Sequence, residues 1–161
     1  MKRRQLLLAR VATPLALRAQ AQPSAPGAVI NWPAIRLLDG STLSPAAWQG
    51  QAAVVVFWAT YCAYCRRHNT HIDKLHRATR GQAWRMPGVA LDTDIDAVQR
   101  YREANGSAFP VALDVGGLRQ RLTARRVIPM TCVLDRQSRL LQAISGEMSE
   151  DNVLDLVRGL T

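Results

Sequence analysis

The longest uninterrupted apolar run in the chain is Ala52 to Trp58, which is rich in valine and aromatic side chains. A run without polar alternation predicts a strand that is covered on both faces of its sheet. The pattern then changes to helical spacing from Arg66 to Thr79, and Gly81 follows as a terminator. For this helix we predict one inward stripe at 3-4-3-4 spacing, made of Cys65, His68, Ile72, Leu75 and Thr79.

Before this strand, the pattern predicts a small N-terminal unit. We expect a short strand near Ile35 to Leu38, a turn at Asp39-Gly40, and a short helix that Ser44 caps with Pro45 at its first position.

After the first helix, strands and helices alternate. A strand from Val89 to Leu91 leads to a helix that we expect to begin at the Thr93-x-x-Asp96 box and to end at Asn105-Gly106. Its predicted apolar face is Ile95, Val98 and Tyr101. The remaining predicted elements are a strand at Pro110–Leu113, a helix near Gly117–Ala124, a hairpin of Thr131–Leu134 with Leu140–Ile144, and a last helix from Ser149 that buries Val153, Leu156, Val157 and Leu160. This order predicts an α/β sandwich.

Cys62 and Cys65 form a CxxC motif where the buried strand feeds the helix. The N-terminus of a helix offers unpaired N–H groups and a positive dipole end, and both favour a thiolate. Because the thiolate is the nucleophile in disulfide exchange, a dithiol at this junction predicts a redox centre.

A structural zinc site is the main alternative interpretation of the motif, but it needs two further ligands. The other candidate ligands are Cys132, His68, His71 and His76, and no second pair at ligand spacing lies outside the helix. Haem attachment needs a histidine directly after the second cysteine, where the chain has Arg66. We therefore expect no metal, and no cofactor besides the Cys62–Cys65 disulfide.

Residues 1–21 are typical of a bacterial export signal. Lys2-Arg3-Arg4 is the basic region, Leu6 to Leu17 is apolar, and Ala19-Gln20-Ala21 fits an A-x-A cleavage site. The paired arginines also fit a twin-arginine signal, and both export routes stay open. An apolar stretch of about 12 residues, interrupted by Arg10, is too short to cross a bilayer. We expect residues 22–28 to be a flexible leader, and the mature protein to be periplasmic without a stable membrane anchor.

The chain has 161 residues and a formal net charge of +9. Without the five basic residues among the first 18, 16 basic residues stand against 12 acidic ones. This moderate excess is spread over the predicted helices and predicts a solvated surface rather than a nucleic-acid partner. The length is that of one domain, which we place at residues 29–161, and we expect a monomer.

The segment Phe57 to Arg66, which reads FWATYCAYCR, resembles the FWATWCxxCR signature of the TlpA/ResA-like thioredoxin-fold proteins. Four further segments resemble parts of that family, namely Leu38-Asp39-Gly40 with Leu43, Gly88–Asp92, Phe109–Asp114, and Arg126–Asp135. The resemblance covers nearly everything from Val29 on.

This resemblance implies a thioredoxin-like three-layer α/β sandwich with a central mixed sheet and an N-terminal β-hairpin, acting as a thiol–disulfide oxidoreductase. It implies that Cys62 is the attacking thiol, that Cys65 is the resolving thiol, and that the bond before Pro129 is cis and faces the motif. The residues that it places around the two thiols are Trp58, Thr60, Tyr61, Ala63, Tyr64, His68, Ile128 and Pro129.

Several positions depart from the family pattern and leave the redox potential and the proton handling open. They are Tyr61 for a tryptophan, Ala63-Tyr64 between the cysteines, Val56 where relatives carry a buried Asp or Asn, Thr70 for a helix proline, and His68 where ResA-like proteins have a glutamate.

Two interpretations of His68 stay open. It is either a packed, hydrogen-bonded histidine or a protonated partner that stabilises a nearby thiolate, and we predict that it tunes the thiols. His71 and His76 are expected to be solvated. Cys132, at an apolar strand position, is expected to be a buried inert thiol.

The leading hypothesis for function is an exported dithiol reductase of disulfides in periplasmic partner proteins, of the cytochrome c or metal-centre maturation type, recharged by a membrane thiol reductant. A thiol oxidase or isomerase is an alternative, because direction depends on the redox potential and the recycling partner. A Cu(I)-binding chaperone that uses Cys62, Cys65 and either His68 or His71 is a third. A thiol peroxidase is disfavoured because its PxxxTxxC pattern is absent, Thr60 lying two residues before Cys62.

Overall fold

The computed structural model describes residues 25–158. The predicted export signal, residues 22–24 of the leader, and Leu160 lie outside the described residues. The strands are β1 Ile35–Arg36, β2 Thr42–Leu43, β3 Ala52–Trp58, β4 Trp84–Arg85, β5 Gly88–Ala90, β6 Val111–Leu113, β7 Met130–Leu134 and β8 Leu140–Ser145. The helices are α1 Ala63–Ala78, α2 Ile95–Asn105, α3 Leu118–Leu122 and α4 Glu150–Asp155, with a 3₁₀ turn at Pro45–Trp48.

The central sheet is mixed, in the order β6-β5-β3-β7-β8, and β4 also pairs with β3. β5 runs parallel to both β3 and β6, whereas β7 runs antiparallel to both β3 and β8. The predicted strand Ala52–Trp58 is confirmed at both ends, and all its residues are buried. It is central because apolar side chains on both faces can be covered only inside a three-layer structure.

The alternation of side chains along β3 separates two hydrophobic cores. Ala53, Val55 and Phe57 face a core that includes α3 and the N-terminal segment. Val54 and Val56 face a second core, against α1, α2 and α4. The sheet therefore has helices on both sides, which is the predicted three-layer α/β sandwich.

The N-terminal hairpin is confirmed as the antiparallel pair of β1 and β2. Gly40 lies in its turn with a φ of 85°, a conformation that favours glycine. Leu37 bridges to Ala112 in β6, so the hairpin is joined to the edge of the main sheet. The 3₁₀ turn stacks Trp48 on Trp32, with ring centroids 3.8 Å apart.

The inward stripe of α1 is confirmed, since all five of its predicted residues are buried. The helix begins at Ala63, three residues earlier than expected, because Cys62 is its N-cap. No helix among residues 25–158 is long and apolar enough to cross a membrane.

Two details of the predicted second helix were wrong. Asp94, not Thr93, caps α2, and its carboxylate accepts a hydrogen bond of 2.9 Å from the Asp96 N–H. Ile95 is exposed because it stands in the first turn of α2, and Val98 is the buried residue of that helix. Ser44 is the N-cap residue of the 3₁₀ turn and Pro45 its first residue, as predicted, although the Ser44 side chain makes no capping hydrogen bond. Strand β4 was not predicted, because two residues are too few to show a period.

Gly88 provides a test of the packing between β5, Phe109 and Trp58. A Cβ atom there would overlap the Phe109 ring and lie 2.9 Å from Nε1 of Trp58. We predict that Gly88→Ala lowers the free energy of unfolding by about 2 kcal/mol, the usual cost of overpacking. Phe109→Leu in the same chain should recover part of that loss, so that the double variant is more stable than the sum of the single effects. Urea denaturation of the four proteins measures this coupling, and additive losses would contradict the contact.

Candidate active site

Cys62 and Cys65 form a disulfide at the start of α1, with their Cα atoms 5.2 Å apart. Cys62 has the extended backbone of an N-cap residue, and its Sγ accepts a hydrogen bond of 3.1 Å from the Cys65 N–H. Cys62 is partly exposed, whereas Cys65 is buried. The two sulfurs therefore differ in access, and the accessible one receives the backbone N–H and the positive end of the helix dipole.

Asp92 holds the loop between β3 and α1. Its carboxylate accepts hydrogen bonds from the Thr60 N–H, at 3.1 Å, and from the Thr60 hydroxyl. β3 and β5 are parallel neighbours, so the residues that follow them meet at one edge of the sheet. Sequence reasoning missed Asp92 as a site residue, although its position just after β5 was a usable signal.

The cis bond between Ile128 and Pro129 is confirmed. The Ile128 carbonyl oxygen lies 4.0 Å from the Sγ of Cys62. The register of β7 explains this approach, because Met130 pairs with Phe57 near the end of β3. The chain just before Met130 is thereby brought to the loop that carries the cysteines.

The segment Gly146–Met148, which follows β8, closes another side of the site. The Gly146 N–H donates to the Pro129 carbonyl at 2.8 Å. The Met148 N–H donates to Nδ1 of His68 at 3.3 Å. Arg67 forms a two-point ion pair with Glu147, and this contact holds the pKa of the Glu147 carboxyl below its ordinary value. Sequence reasoning did not single out this segment, since nothing local indicates which helix it meets.

His68 is a residue of α1, and its side chain is fully buried on the side of the helix that faces β7. Since Nδ1 accepts from the Met148 N–H, Nε2 carries the proton and donates to Oγ1 of Thr131 at 2.9 Å. Burial lowers the pKa of His68 to about 4. The expectation of a protonated imidazole beside a thiolate is therefore wrong, and the alternative of a packed, hydrogen-bonded histidine is the one that the geometry bears out.

His71 and His76 are half-buried, so the expectation that they are solvated holds only in part. Nδ1 of His71 donates to the Met148 carbonyl at 3.0 Å, which is a second link between α1 and that segment. Burial lowers the pKa of His76.

The surface around Cys62 is apolar and aromatic. Tyr61 is 76% exposed and Tyr64 is 63% exposed, and Val127, next to the cis-prolyl bond, is 52% exposed. Ala63 is exposed between them. The guanidinium of Arg67 lies 5.1 Å from the centroid of the Tyr64 ring. We call Tyr61, Ala63, Tyr64 and Val127 the apolar rim, because these exposed side chains offer apolar contacts to a segment bound at Cys62.

Beneath the disulfide the residues are core. Trp58 is fully buried, with its ring 4.8 Å from that of Tyr101. Val56 is buried and pairs with Thr131 across the sheet. The strand position beneath Cys65 thus carries an aliphatic side chain, as the sequence indicated.

Cys132 is a buried free thiol, and burial raises its pKa to about 12. Within residues 25–158, no group of three or more His, Cys, Asp or Glu side chains lies close enough to hold a metal ion. Both ring nitrogens of His68 are already hydrogen-bonded, which argues against its use as a Cu(I) ligand.

The sequence model of the AhpC/TSA family matches residues 29–143 of this chain. The thiol–disulfide oxidoreductase ResA of Halalkalibacterium halodurans is 26% identical over 116 residues, which cover 72% of this chain and 66% of that protein. This chain thus spans about two thirds of the length of that relative.

Solved structures with the same fold include StoA from Bacillus subtilis, with a TM-score of 0.68, 19% identity, and coverage of 78% of this chain and 95% of that one. A putative protein disulfide isomerase from Bacteroides thetaiotaomicron gives a TM-score of 0.73 at 17% identity, with coverage of 86% and 90%. The ResA relative and these folds confirm the thioredoxin-like fold and the TlpA/ResA-like resemblance.

The buried neutral state of His68 predicts a pH dependence of stability. The unfolded imidazole takes up a proton near pH 6.5, whereas the folded one does so only at about 4, so stability is complete above about 6.5 and falls between these values. The full loss, reached below about pH 4, should be about 3.5 kcal/mol, since the two pKa values differ by about 2.5 and each pH unit corresponds to about 1.4 kcal/mol. His68→Gln should be less stable at neutral pH, and its unfolding free energy should change less on acidification.

Urea denaturation at about pH 7.5 and about pH 5 compares the wild type with His68→Gln. His76→Gln is the matched control on the same helix, because its imidazole is only half-buried. Parallel pH dependence in the wild type and His68→Gln would contradict the assignment.

Proposed function

The chain belongs to the AhpC/TSA family and is a thiol–disulfide oxidoreductase, and we propose that it acts as an exported reductant of disulfides in partner proteins. The observation that carries the proposal is the unequal access of the two sulfurs, with Cys62 partly exposed at the helix N-terminus and Cys65 buried behind it. The periplasmic location rests on the N-terminal sequence, and the partner class of cytochrome c or metal-centre maturation rests on the family resemblance.

In the proposed reaction the protein begins as a dithiol. The Cys62 thiolate attacks one sulfur of the substrate disulfide, the substrate S–S bond breaks, and a mixed disulfide forms as one substrate thiolate leaves. The Cys65 sulfur, as a thiolate, then attacks Cys62, which releases the second substrate thiolate and closes the Cys62–Cys65 disulfide. Two electrons pass to the substrate, and the two protons from the protein thiols end on the substrate thiols.

The geometry around Cys62 supports its role as the attacking thiol. The Cys65 N–H that points at the Cys62 sulfur stabilises negative charge on that atom. The apolar rim and the Ile128 carbonyl, 4.0 Å from Cys62, offer a surface for the segment that carries the substrate cystine. A membrane thiol reductant would return the protein to its dithiol form, because an exported CxxC is otherwise oxidised.

The order of attack predicts different trapping by two variants. Cys65→Ser should hold a reducible substrate protein as a lasting mixed disulfide, because the resolving thiol is missing. Cys62→Ser should trap little, because its two remaining thiols, Cys65 and Cys132, are buried. Non-reducing gel electrophoresis with an oxidised model protein measures the trapped fraction, and Cys132→Ser in both backgrounds controls for the third cysteine. Equal trapping by both variants would reject the order.

The direction of transfer predicts a redox potential. A reductant should equilibrate nearer the potential of thioredoxin, about −270 mV, than that of DsbA, about −120 mV. Titration in glutathione or dithiothreitol buffers measures it. A value near that of DsbA would favour the oxidase or isomerase instead.

A further inference from the structure

A group of arginines leads into the cis-prolyl segment. Arg119, Arg125 and Arg126 line a surface pocket of about 460 Å³, in which Asp114 is the one carboxylate. We call Arg125 and Arg126 the basic loop. Both are exposed, and the chain passes from them through Val127 directly to the cis bond.

The charges of this loop are not neutralised within the described residues. The ion pairs of residues 25–158 use other cations, namely Arg67, Lys74, Arg77, Arg100 and Arg158. Arg125 donates from Nη1 to Oγ of Ser145 at 3.1 Å, a neutral partner that positions the guanidinium without cancelling its charge. The Asp114 carboxylate bonds to the backbone, since its Oδ1 accepts a hydrogen bond of 3.3 Å from the Arg119 N–H.

The loop is close to the reactive sulfur. The Ile128 carbonyl lies 4.0 Å from Cys62 Sγ, and Arg126 and Arg125 precede Ile128 by two and three residues. Because an extended chain spans at most about 3.5 Å per residue, the backbones of Arg125 and Arg126 lie within roughly 10 Å of Ile128. A substrate segment bound at Cys62 would thus bring side chains a few positions from its cystine to these guanidinium groups.

We propose that the basic loop binds acidic side chains that flank the cystine of the substrate protein, and so sets substrate preference. The inference rests on the proposed function. A guanidinium presents a planar fork that matches a carboxylate, and in the rim of an interface such pairs act mainly on encounter and selection. Tyr61, Tyr64 and Val127 would contact the apolar part of the same segment.

The test uses two synthetic cystine peptides that differ only in glutamate or glutamine at the positions beside the cystine. With the protein supplied in its dithiol form, kcat/KM for the glutamate peptide should exceed that for the glutamine peptide by about two- to tenfold at low salt. The ratio should approach one in about 0.5 M salt, where exposed charges are screened.

The variant Arg125→Gln/Arg126→Gln should bring the ratio near one at low salt. The matched control is Arg136→Gln/Arg139→Gln, which removes the same charge from the β7–β8 turn, at the far end of β7 from the cis bond. This control should keep the wild-type ratio. Because the wild-type salt titration needs no substitution, the inference stays testable even if a variant folds poorly.

The experiment distinguishes failure of the acidic-substrate proposal from failure of the proposed function. If both peptides are reduced at equal rates, or if both variants keep the ratio, the acidic-substrate inference is overturned while the oxidoreductase stands. If neither peptide is reduced, the proposed function falls as well. If vesicles of an anionic phospholipid bind the wild type but not Arg125→Gln/Arg126→Gln, while the glutamate peptide has no advantage, the loop is a lipid-binding surface and the inference is overturned.

Discussion

The hydrogen bonds of one buried imidazole determine how the two halves of the site meet. His68 lies on α1, the helix that begins at the disulfide, and it donates to Thr131 on β7, the strand that begins just after the cis bond. Its other nitrogen accepts from Met148 in the segment behind both. Burial disfavours the charged form and lowers the pKa to about 4, so the ring joins three elements as a neutral group with a fixed tautomer.

The neutral state of His68 changes the account of thiol activation. With Val56 aliphatic and His68 uncharged, the stabilisation of a Cys62 thiolate comes from the backbone, through the Cys65 N–H and the start of α1. A backbone donor cannot take up or release the proton of Cys65. In the proposed reaction, the departing substrate thiolate is the base that takes up this proton.

How far the sequence predicts this protein depends on whether a feature is local or comes from two distant elements. The seven-residue strand, the stripe of α1 and the redox motif follow from runs and spacings, and the resemblance adds the cis bond of Pro129. The contact of Thr60 with Asp92 and the closure by Gly146–Met148 join residues more than 30 positions apart. The position of Asp92 just after β5 was a signal for the first contact, whereas no local pattern shows the second. The prediction of a protonated His68 was wrong because helical spacing shows only that the side chain faces inward. It does not show how completely β7 and Met148 enclose the ring.

Charged side chains lie at different distances from the disulfide. Near it, the Asp92 carboxylate accepts hydrogen bonds from Thr60, Arg67 is paired with Glu147, and the exposed Arg66 is in no ion pair of the described residues. Further uncompensated positive charge stands on the exposed loop, on Arg125 and Arg126. Charge placed against Cys65 would be desolvated and would alter its redox balance, whereas charge on an exposed loop costs little and acts through solvent on an approaching partner. Substrate selection by such a loop and sulfur exchange at Cys62 and Cys65 would therefore rest on different side chains.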